Sequence, residues 1–343
     1  MLELFIVFII DLLAFFLIYL ILNTGLNIEL GYTGIPNFGT VFWFSAGGFA
    51  AGALASRLGA WLLNIDTSGI DFIRDNMIIV MKINNILEKS PLQALTLLIL
   101  IIIIAGGIGA MLGAVMSIPT VRLRSDYLAI TFLAFGEILN VIGTAYTPLV
   151  GGPPGIAVPD VWAWSGKLRF TVSTLTILII AIIFFAYAEY LVRTPLGRSL
   201  RVVRDNEVAA EAYGKDIARF RLISMIIGST LMSVAGALYV LYSQAVNPSF
   251  FRFHWTFLPW LMILLGGVGN NIGVLLGTFI YNTIYKLIVF YKFELGGILP
   301  FDVVWLNYIL LGALIIIILI YRPQGLLPEK PPRIRLKVKE RKE

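Results

Sequence analysis

Cysteine is absent from this 343-residue chain, and histidine occurs once, as His254. The first absence excludes disulfides and Cys-ligated metal or iron–sulfur centres, and the second excludes a metal site built from several histidines. Charged residues are also scarce, at 13% of the chain, compared with roughly 25% in soluble globular domains. The composition is therefore that of neither a soluble domain nor a His-rich or Cys-rich metalloprotein.

Signatures of common enzymes are missing as well. There is no G-x-x-x-x-G-K-[ST] phosphate loop, so we do not expect the chain itself to hydrolyse ATP. It also lacks H-E-x-x-H, G-x-S-x-G and any carboxylate pair at helical spacing within one apolar segment. We predict no catalytic residue, no metal site and no cofactor in this chain, although these absences do not exclude an intramembrane enzyme.

Apolar residues dominate what is present. They make up 59% of the chain, which has a mean hydropathy of +0.89, and they form runs of about 20 residues, long enough to cross a bilayer. The first run has no basic start and no A-x-A-like cleavage site, so we interpret it as a span rather than a signal peptide. The runs lie at 2–23, 38–58, 92–118, 127–146, 171–192, 222–243, 256–269, 272–292 and 303–321.

These runs predict an all-α, polytopic transmembrane helical bundle of about nine spans, with a range of about eight to ten. Two of the runs are weak. The run at 38–58 contains Gly47, Gly48 and Gly52, and the run at 256–269 is too short to span unless it joins a broken or tilted helix. We therefore predict broken or re-entrant helices near 31–58 and 256–278, because irregular backbone at membrane depth is tolerated where protein or water surrounds it.

Basic residues set the predicted orientation. The insert 193–221 holds seven Lys and Arg residues, and the segment from Arg322 to the end holds eight, so both are expected in the cytoplasm. With nine spans the C-terminus is cytoplasmic, the N-terminus lies outside, and the cytoplasmic side carries 17 of the 26 basic residues. The net charge of +6 then reflects orientation and contact with anionic lipid rather than nucleic-acid binding.

The main polar feature is this insert, RTPLGRSLRVVRDNEVAAEAYGKDIARFR (193–221). Its interior is rich in Ala and other helix formers and is followed by Gly214, which predicts a short amphipathic helix that ends at this glycine. From the residues alone, two interpretations stay open: a solvated basic loop, and a helix at the cytoplasmic face that docks another protein.

Glycine-rich stretches and one carboxylate are candidates for a transport path. Such stretches either let helices pack closely or mark helix breaks beside a path. Glu137 lies ten residues into the span that begins at Tyr127, where a charge is costly and normally faces a cavity or a neighbouring helix. The candidate path residues are Gly34, Asn37, Thr40, Gly47, Gly48 and Glu137.

The outer loop LVGGPPGI (149–156) is dense in turn residues. It predicts a rigid turn after a helix. A stiff, exposed turn can equally serve as an outer gate or as a docking surface for another protein. The candidate residues are Gly151, Gly152, Pro153, Pro154 and Gly155.

Six segments together resemble the permease subunits of branched-chain amino acid ABC importers, in particular the M-type of the two homologous subunits. They occur in the family's order and run through most of the chain. Thr40 departs from an expected His and Pro154 from an expected Asn, and both departures bear on the substrate rather than on the class. The segments are GYTGIPNFGTVFWFSAGGFAAGAL (31–54), RLRSDYLAITFLAFGEI (122–138), GGPPGI (151–156), GRSLRVVRDNEVAAEAYGKDIARFRLISMIIGSTLMSVAGALY (197–239), LLGGVGNNIGVLLGT (264–278) and RPQGLL (322–327).

The resemblance implies a subunit that forms half of a translocation path together with a second, homologous permease subunit. It further implies two cytoplasmic ATPase subunits that bind ATP and Mg, an extracytoplasmic substrate-binding protein, surrounding membrane lipid and no nucleic acid. The segment 198–214 matches the helix that docks on an ATPase, with arginines that can pair with the partner's carboxylates. The implied coupling residues are Arg198, Arg201, Arg204, Glu207, Ala209, Ala210 and Gly214.

We therefore predict a permease domain over 1–325, with a coupling segment at 193–221, and a basic cytoplasmic tail over 326–343. The predicted function is import of branched-chain or related amino acids across the cell membrane, driven by ATP hydrolysis in separate subunits. One alternative is a self-sufficient secondary transporter with Glu137 as ion or proton carrier, and another is a lipid-modifying intramembrane enzyme. The substrate stays open, because related permeases carry urea, amides or other amino acids.

Overall fold

A computed structural model of the chain describes residues 2–292 and 303–329. These residues are almost entirely helical, apart from two short strands that pair with each other. The helices are α1 (Leu2–Leu26), α2 (Thr40–Leu62), α3 (Asn76–Leu87), α4 (Pro91–Arg122), α5 (Ser125–Ala145), α6 (Thr147–Val150), α7 (Arg169–Arg193), α8 (Pro195–Asp205), α9 (Glu207–Ala212), α10 (Ile217–Ser243), α11 (His254–Gly266), α12 (Asn271–Phe290) and α13 (Val303–Tyr321).

Every predicted apolar run coincides with one of these helices. Within the described ranges, six helical segments are long and apolar enough to cross a membrane. An all-α membrane bundle is thus confirmed, whereas the count of about nine spans is not. The six segments are Phe5–Tyr32, Pro91–Arg122, Ser125–Ala145, Ala163–Arg193, Ile217–Ser243 and Asn271–Phe290.

The predicted break near 31–58 lies at 33–39. A π-helical turn, Asn27–Tyr32, continues α1, and the chain then leaves helical geometry until α2 begins at Thr40. Gly34 has φ +76°, and Pro36 lacks the N–H that a helix would use, so the sequence stops the helix here. The prediction of a further break at Gly47–Gly48 is wrong, because α2 is one continuous helix through both residues.

Glycines in α2 serve helix packing instead. A side chain at Gly47 would overlap the main-chain oxygen of Ser233 in α10, and one at Gly48 would overlap the ring of Phe251. The two helices approach so closely only because these positions lack a Cβ. The hydroxyl of Ser233 in turn donates to the carbonyl oxygen of Ala105 in α4 at 2.7 Å. As a result α2, α4 and α10 form the centre of the bundle.

The predicted break near 256–278 lies between α11 and α12. With only 13 residues α11 is about 20 Å long, short of the roughly 30 Å of bilayer hydrocarbon. The turn that follows it is closed by Asn270, whose side-chain oxygen accepts from the N–H of Ile272 at 3.1 Å and of Gly273 at 3.3 Å. This capped turn starts α12.

Loops predicted to share a side of the membrane lie together. At one end of the bundle, which we call the α8 end, Gly34 packs on Arg204, and Arg221 bonds to the carbonyl oxygen of Thr120. At the other end, which we call the α3 end, Asn76 of α3 accepts from the N–H of Ala157 at 2.8 Å. There too, strands β1 (Ile156–Ala157) and β2 (Ala245–Val246) pair antiparallel.

The described residues that follow the boundary predicted at residue 325 pair with the bundle. The N–H groups of Leu326 and Leu327 donate to the carbonyl oxygens of Leu265 and Gly266, each at 2.9 Å. The segment 326–329 therefore returns to the end of α11. The rest of the predicted tail, 330–343, lies outside the described residues.

Candidate functional site

The predicted coupling segment folds as two short helices rather than one. Asn206 separates α8 from α9, and its side-chain oxygen accepts from the N–H of Ala209 at 3.0 Å, a standard N-cap. Beyond α9, Gly214 has φ +73°, so the predicted glycine stop is confirmed. The polar insert thus forms a corner of two short helices at the α8 end of the bundle.

The outer side of this corner carries two apolar side chains that nothing in the chain covers. Val208 is 78% exposed and Tyr213 is 85% exposed, although valine is usually buried in folded proteins and tyrosine is usually at least partly buried. Ala210 is fully buried, so this alanine packs within the chain, whereas Glu207 and Gly214 lie on the exposed side. We call Val208 and Tyr213, with the α9 residues between them, the α9 tip.

The arginines of α8 have partners inside the chain. Arg201 lies with its Nε 2.8 Å from Glu329, and Arg204 lies with its Nη1 2.8 Å from the other oxygen of the same carboxylate. Burial by itself would lower the pKa of Arg204, but the Glu329 and Asp205 carboxylates outweigh it and raise the pKa above its usual value. Arg198 is exposed and forms no ion pair with the residues that the structure describes.

Glu207 also has an internal partner. Its carboxylate pairs with Arg221 at the start of α10, and the same guanidinium bonds to the carbonyl oxygen of Thr120 at the end of α4. Arg221 therefore fixes α9 to two long helices. Its role in joining α9 to α4 could not be found from the sequence, because Thr120 is 101 residues away along the chain.

The break at 33–39 runs along α11 into the interior of the bundle. The indole of Trp260 donates to the carbonyl oxygen of Asn37 at 2.7 Å and stacks on the ring of Phe38 at 4.0 Å. The hydroxyl of Thr40 donates to the carbonyl oxygen of Trp255 at 2.7 Å. Because Trp255 lies at the far end of α11 from Gly266, α2 begins inside the bundle rather than at its α8 end.

Glu29 is a buried carboxylate that the sequence analysis missed. It lies in the π-helical turn with no exposed surface and receives a hydrogen bond from the side-chain amide of Asn37. Its other oxygen has no hydrogen-bond partner among the described residues. The predicted first span stops at residue 23, which leaves Glu29 outside it. The π-helical turn extends the apolar segment to Tyr32.

Glu137 lies mid-way along α5 on the surface of the chain. Exposed residues recur along the same face at helical spacing, including Ile130 and Val141. On the opposite face, Gly136 packs against Val41 of α2. Glu137 directly follows Gly136, and Thr40 directly precedes Val41. The contact between Gly136 and Val41 therefore places the start of α2 at about the same level of the bundle as Glu137.

The GGPPG segment at the α3 end forms the predicted turn. Gly151, Gly152 and Gly155 all have φ between +68° and +78°, a region that favours glycine. Pro153 and Pro154 form its exposed tip, and the carbonyl oxygen of Pro153 accepts from the side chain of Asn247 at 2.7 Å. The turn is thus held against the segment that precedes α11.

The structure groups some of the candidate residues and separates others. It brings Gly34, Arg201 and Arg204 together at the α8 end, and it brings Val41 into contact with Gly136, the chain neighbours of Thr40 and Glu137. Gly47 and Gly48 lie in the helix-packing core, and the GGPPG turn lies at the α3 end. Among the described residues no cluster of three or more His, Asp or Glu side chains could hold a metal ion.

Comparison with known proteins supplies the family. The model of the branched-chain amino acid transport system permease component matches residues 8–319, nearly the whole chain. The chain belongs to this permease family. It is thus a multi-pass membrane protein of a transport family rather than a member of an enzyme family.

Curated relatives support the same assignment. A protein of Methanocaldococcus jannaschii, named a probable branched-chain amino acid transport permease LivM, is 41% identical over 335 residues, 96% of each chain. The high-affinity branched-chain amino acid permease LivM proteins of Salmonella typhimurium and Escherichia coli are each 26% identical over 96% of this chain and 72% of their own. No solved structure matches the chain.

Proposed function

We propose that the chain is one permease subunit of an ATP-driven importer for branched-chain or related amino acids. Its partners in this proposal are a second homologous permease, two cytoplasmic ATPase subunits that bind ATP and Mg, and an extracytoplasmic substrate-binding protein. The chain itself holds no nucleotide or cofactor. The substrate class rests on the names of the relatives.

The observation that carries this proposal is the α9 tip. An ATP-driven permease that has no phosphate loop of its own needs separate ATPase subunits, and these need a surface on the permease to bind. Val208 and Tyr213 offer an exposed apolar surface on a corner that Arg221 fixes to α4 and α10. Force on the tip can therefore reach the bundle without first deforming the corner.

The exposed face of α5 supports a permease partner. A carboxylate mid-way across a membrane is costly against lipid and is normally covered by protein or lines a water-filled path. Glu137 has no cover within the described chain, so in this proposal its face is turned toward the second permease subunit across the path. The start of α2, with Thr40, lies nearby as an interrupted helix end of the kind that borders substrate sites in transporters.

The proposed topology has nine crossings, the α8 end in the cytoplasm and the N-terminus outside. Supporting it, the predicted inner loops pack together at the α8 end, and the predicted outer loops pack together at the α3 end. In this orientation ATP binding closes the ATPase dimer, moves the α9 tip, and rocks the permease halves between outward-open and inward-open forms. The GGPPG turn then faces the binding protein.

The test is ATP-driven uptake of radiolabelled leucine by the reconstituted complex with Tyr213→Ala and Val208→Ser in the α9 tip. Both side chains are exposed, so we expect normal insertion but loss of ATPase association and uptake. Trp61→Ala is the matched control, because the side chain of Trp61 is also exposed (69%) but lies at the end of α2, outside the α9 tip. Glu207→Arg would be ambiguous, because it also breaks the internal pair with Arg221.

Two results would contradict the proposal. Full uptake by the double variant Val208→Ser/Tyr213→Ala would remove the α9 tip as the coupling surface. Gradient-driven uptake by the chain alone in vesicles, without ATPase subunits, would instead favour a self-sufficient secondary transporter.

A further inference from the structure

Glu329 joins two parts of the α8 end that are far apart in sequence. Its two carboxylate oxygens each lie 2.8 Å from an arginine of α8, one from Arg201 and one from Arg204. All three side chains are mostly buried, at 21–24% exposure. A charge pair shielded from water is less screened than a surface pair and is costly to break from one side.

The segment that carries Glu329 is itself fixed to the turn between α11 and α12. In addition to the two main-chain bonds of Leu326 and Leu327, the side chain of Asn270 donates to the carbonyl oxygens of Leu327 at 3.1 Å and Pro328 at 3.3 Å. The carboxylate of Glu329 is therefore held in place by backbone pairing.

The same turn is tied to the end of α1. The side-chain oxygen of Asn27 accepts from the N–H of Gly269 at 2.9 Å, and its amide donates to Asn271 at 2.9 Å. From α8, Arg204 donates to the carbonyl oxygen of Gly31, and the guanidinium of Arg201 lies 5.2 Å from the centre of the Tyr32 ring. Three elements thus meet at one point: α8, the α11–α12 turn and the π-helical turn before the break.

We propose that Glu329 is a positioning residue that makes α8 move as one body with the α11–α12 turn and with the π-helical turn. The proposal rests on the function proposed above, since it concerns how motion of the α9 tip reaches the break at 33–39. The linkage reaches Gly31 and Tyr32, and the break begins at the next residue. Within the break, Gly34 packs directly on Arg204. Displacement of α8 is passed to the interrupted start of α2 rather than being absorbed in a flexible corner.

The first test measures leucine uptake per ATP hydrolysed in the reconstituted complex. Glu329→Gln keeps the size of the side chain but removes the charge, and we expect uptake per ATP to fall by about five- to tenfold, the size of an ordinary coupling between sites. Glu329→Asp retains a carboxylate and is expected to restore most of the ratio. Glu88→Gln, an exposed carboxylate near the α3 end, is the matched control.

A purely structural role would give a different pattern. Uptake and ATP hydrolysis would then fall together in Glu329→Gln, in proportion to the amount of assembled complex, with uptake per ATP unchanged. That result would overturn the proposal, as would failure of Glu329→Asp to improve on Glu329→Gln.

The second test needs no transport activity. The chain has no cysteine, so spin labels at Val202→Cys in α8 and Ile272→Cys in α12, both at exposed positions, report one distance without background. We expect a single narrow distance distribution in the purified wild-type chain and a broadened one with Glu329→Gln. Identical distributions would overturn the proposal, whereas absence of ATP-driven uptake by the wild-type complex would count against the proposed function only.

Discussion

The side-chain amide of Asn37 donates to the carboxylate of Glu29 across the break that follows the π-helical turn. The main chain repeats this link, because the N–H of Ile35 donates to the carbonyl oxygen of Glu29 at 2.9 Å. Asn37 is held from the other side by Trp260 of α11. The break is therefore held by several hydrogen bonds, among them an amide–carboxyl pair with no exposed surface.

This pair can be tested by changing one member at a time. Glu29→Gln retains an oxygen for the Asn37 amide and should cost about 1 kcal/mol of stability or less. Asn37→Asp removes the donor and sets two carboxyls against each other, which should cost roughly 3–5 kcal/mol. Thermal unfolding of the purified chain in detergent measures both, and equal stability of the two variants would contradict the pairing.

Close packing of α2 on α10 gives a second prediction. Gly47→Ala should destabilise the chain by about 3 kcal/mol, because the new methyl group overlaps the main-chain oxygen of Ser233 in a rigid helix pair. Gly107→Ala in α4 is the matched control. A Cβ there meets nothing within 4 Å, so alanine should be neutral or stabilise by about 0.5–1 kcal/mol.

Thermal unfolding of the two variants separates packing from path lining. If Gly47 lined the path as predicted from the sequence, Gly47→Ala would alter uptake while the melting temperature stayed at the wild-type value. The structure predicts instead a large drop in melting temperature for Gly47→Ala and none for Gly107→Ala.

The helices formed by the apolar runs could be predicted, because few backbone structures are stable in the hydrocarbon of a membrane. Backbone polar groups in hydrocarbon must be paired within the segment, so long apolar runs become helices. Local signals also sufficed at Gly214, where a glycine stops α9, and at the GGPPG turn. Each of these features depends on residues close together in the sequence.

The polar contacts could not be predicted, because their partners are distant. Asn27 bonds to Asn271, and Arg201 pairs with Glu329, more than a hundred residues away in each case. The sequence around Glu29 is typical of a loop, because it contains several asparagine and glycine residues, so the helix is predicted to end too early. The prediction of a break at Gly47 and Gly48 fails for the same reason, because the residues they pack against, Ser233 and Phe251, are distant in the sequence.

Asp11 and Lys286 give a third prediction. Their charged groups lie 2.5 Å apart between α1 and α12, and the ammonium of Lys286 lies 3.6 Å from the centre of the Phe15 ring. Asp11→Asn leaves the lysine, 12% exposed, without its countercharge. We expect a loss of about 3 kcal/mol, at the lower end of the roughly 3–5 kcal/mol for breaking a buried pair, because the ammonium keeps its contact with the Phe15 ring.

The double variant Asp11→Leu/Lys286→Met is the control for this pair. Replacing both charges with apolar side chains of similar size is often neutral or stabilising, so thermal stability in detergent should return to about the wild-type level. If the double variant were as unstable as Asp11→Asn, the loss would come from side-chain packing rather than from the unpaired charge.

The GGPPG turn gives the last prediction, in which two glycines with nearly the same backbone conformation are compared. Gly155 has φ +72° and Gly69 has φ +77°. Alanine at Gly69 meets nothing within 4 Å and should cost only the backbone strain, about 1 kcal/mol. Alanine at Gly155 also overlaps the carbonyl oxygen of Val246 in β2, so the total cost should reach about 3 kcal/mol. Thermal unfolding of both variants measures the difference, and equal losses would mean that β2 yields and that the turn is not held rigidly against it.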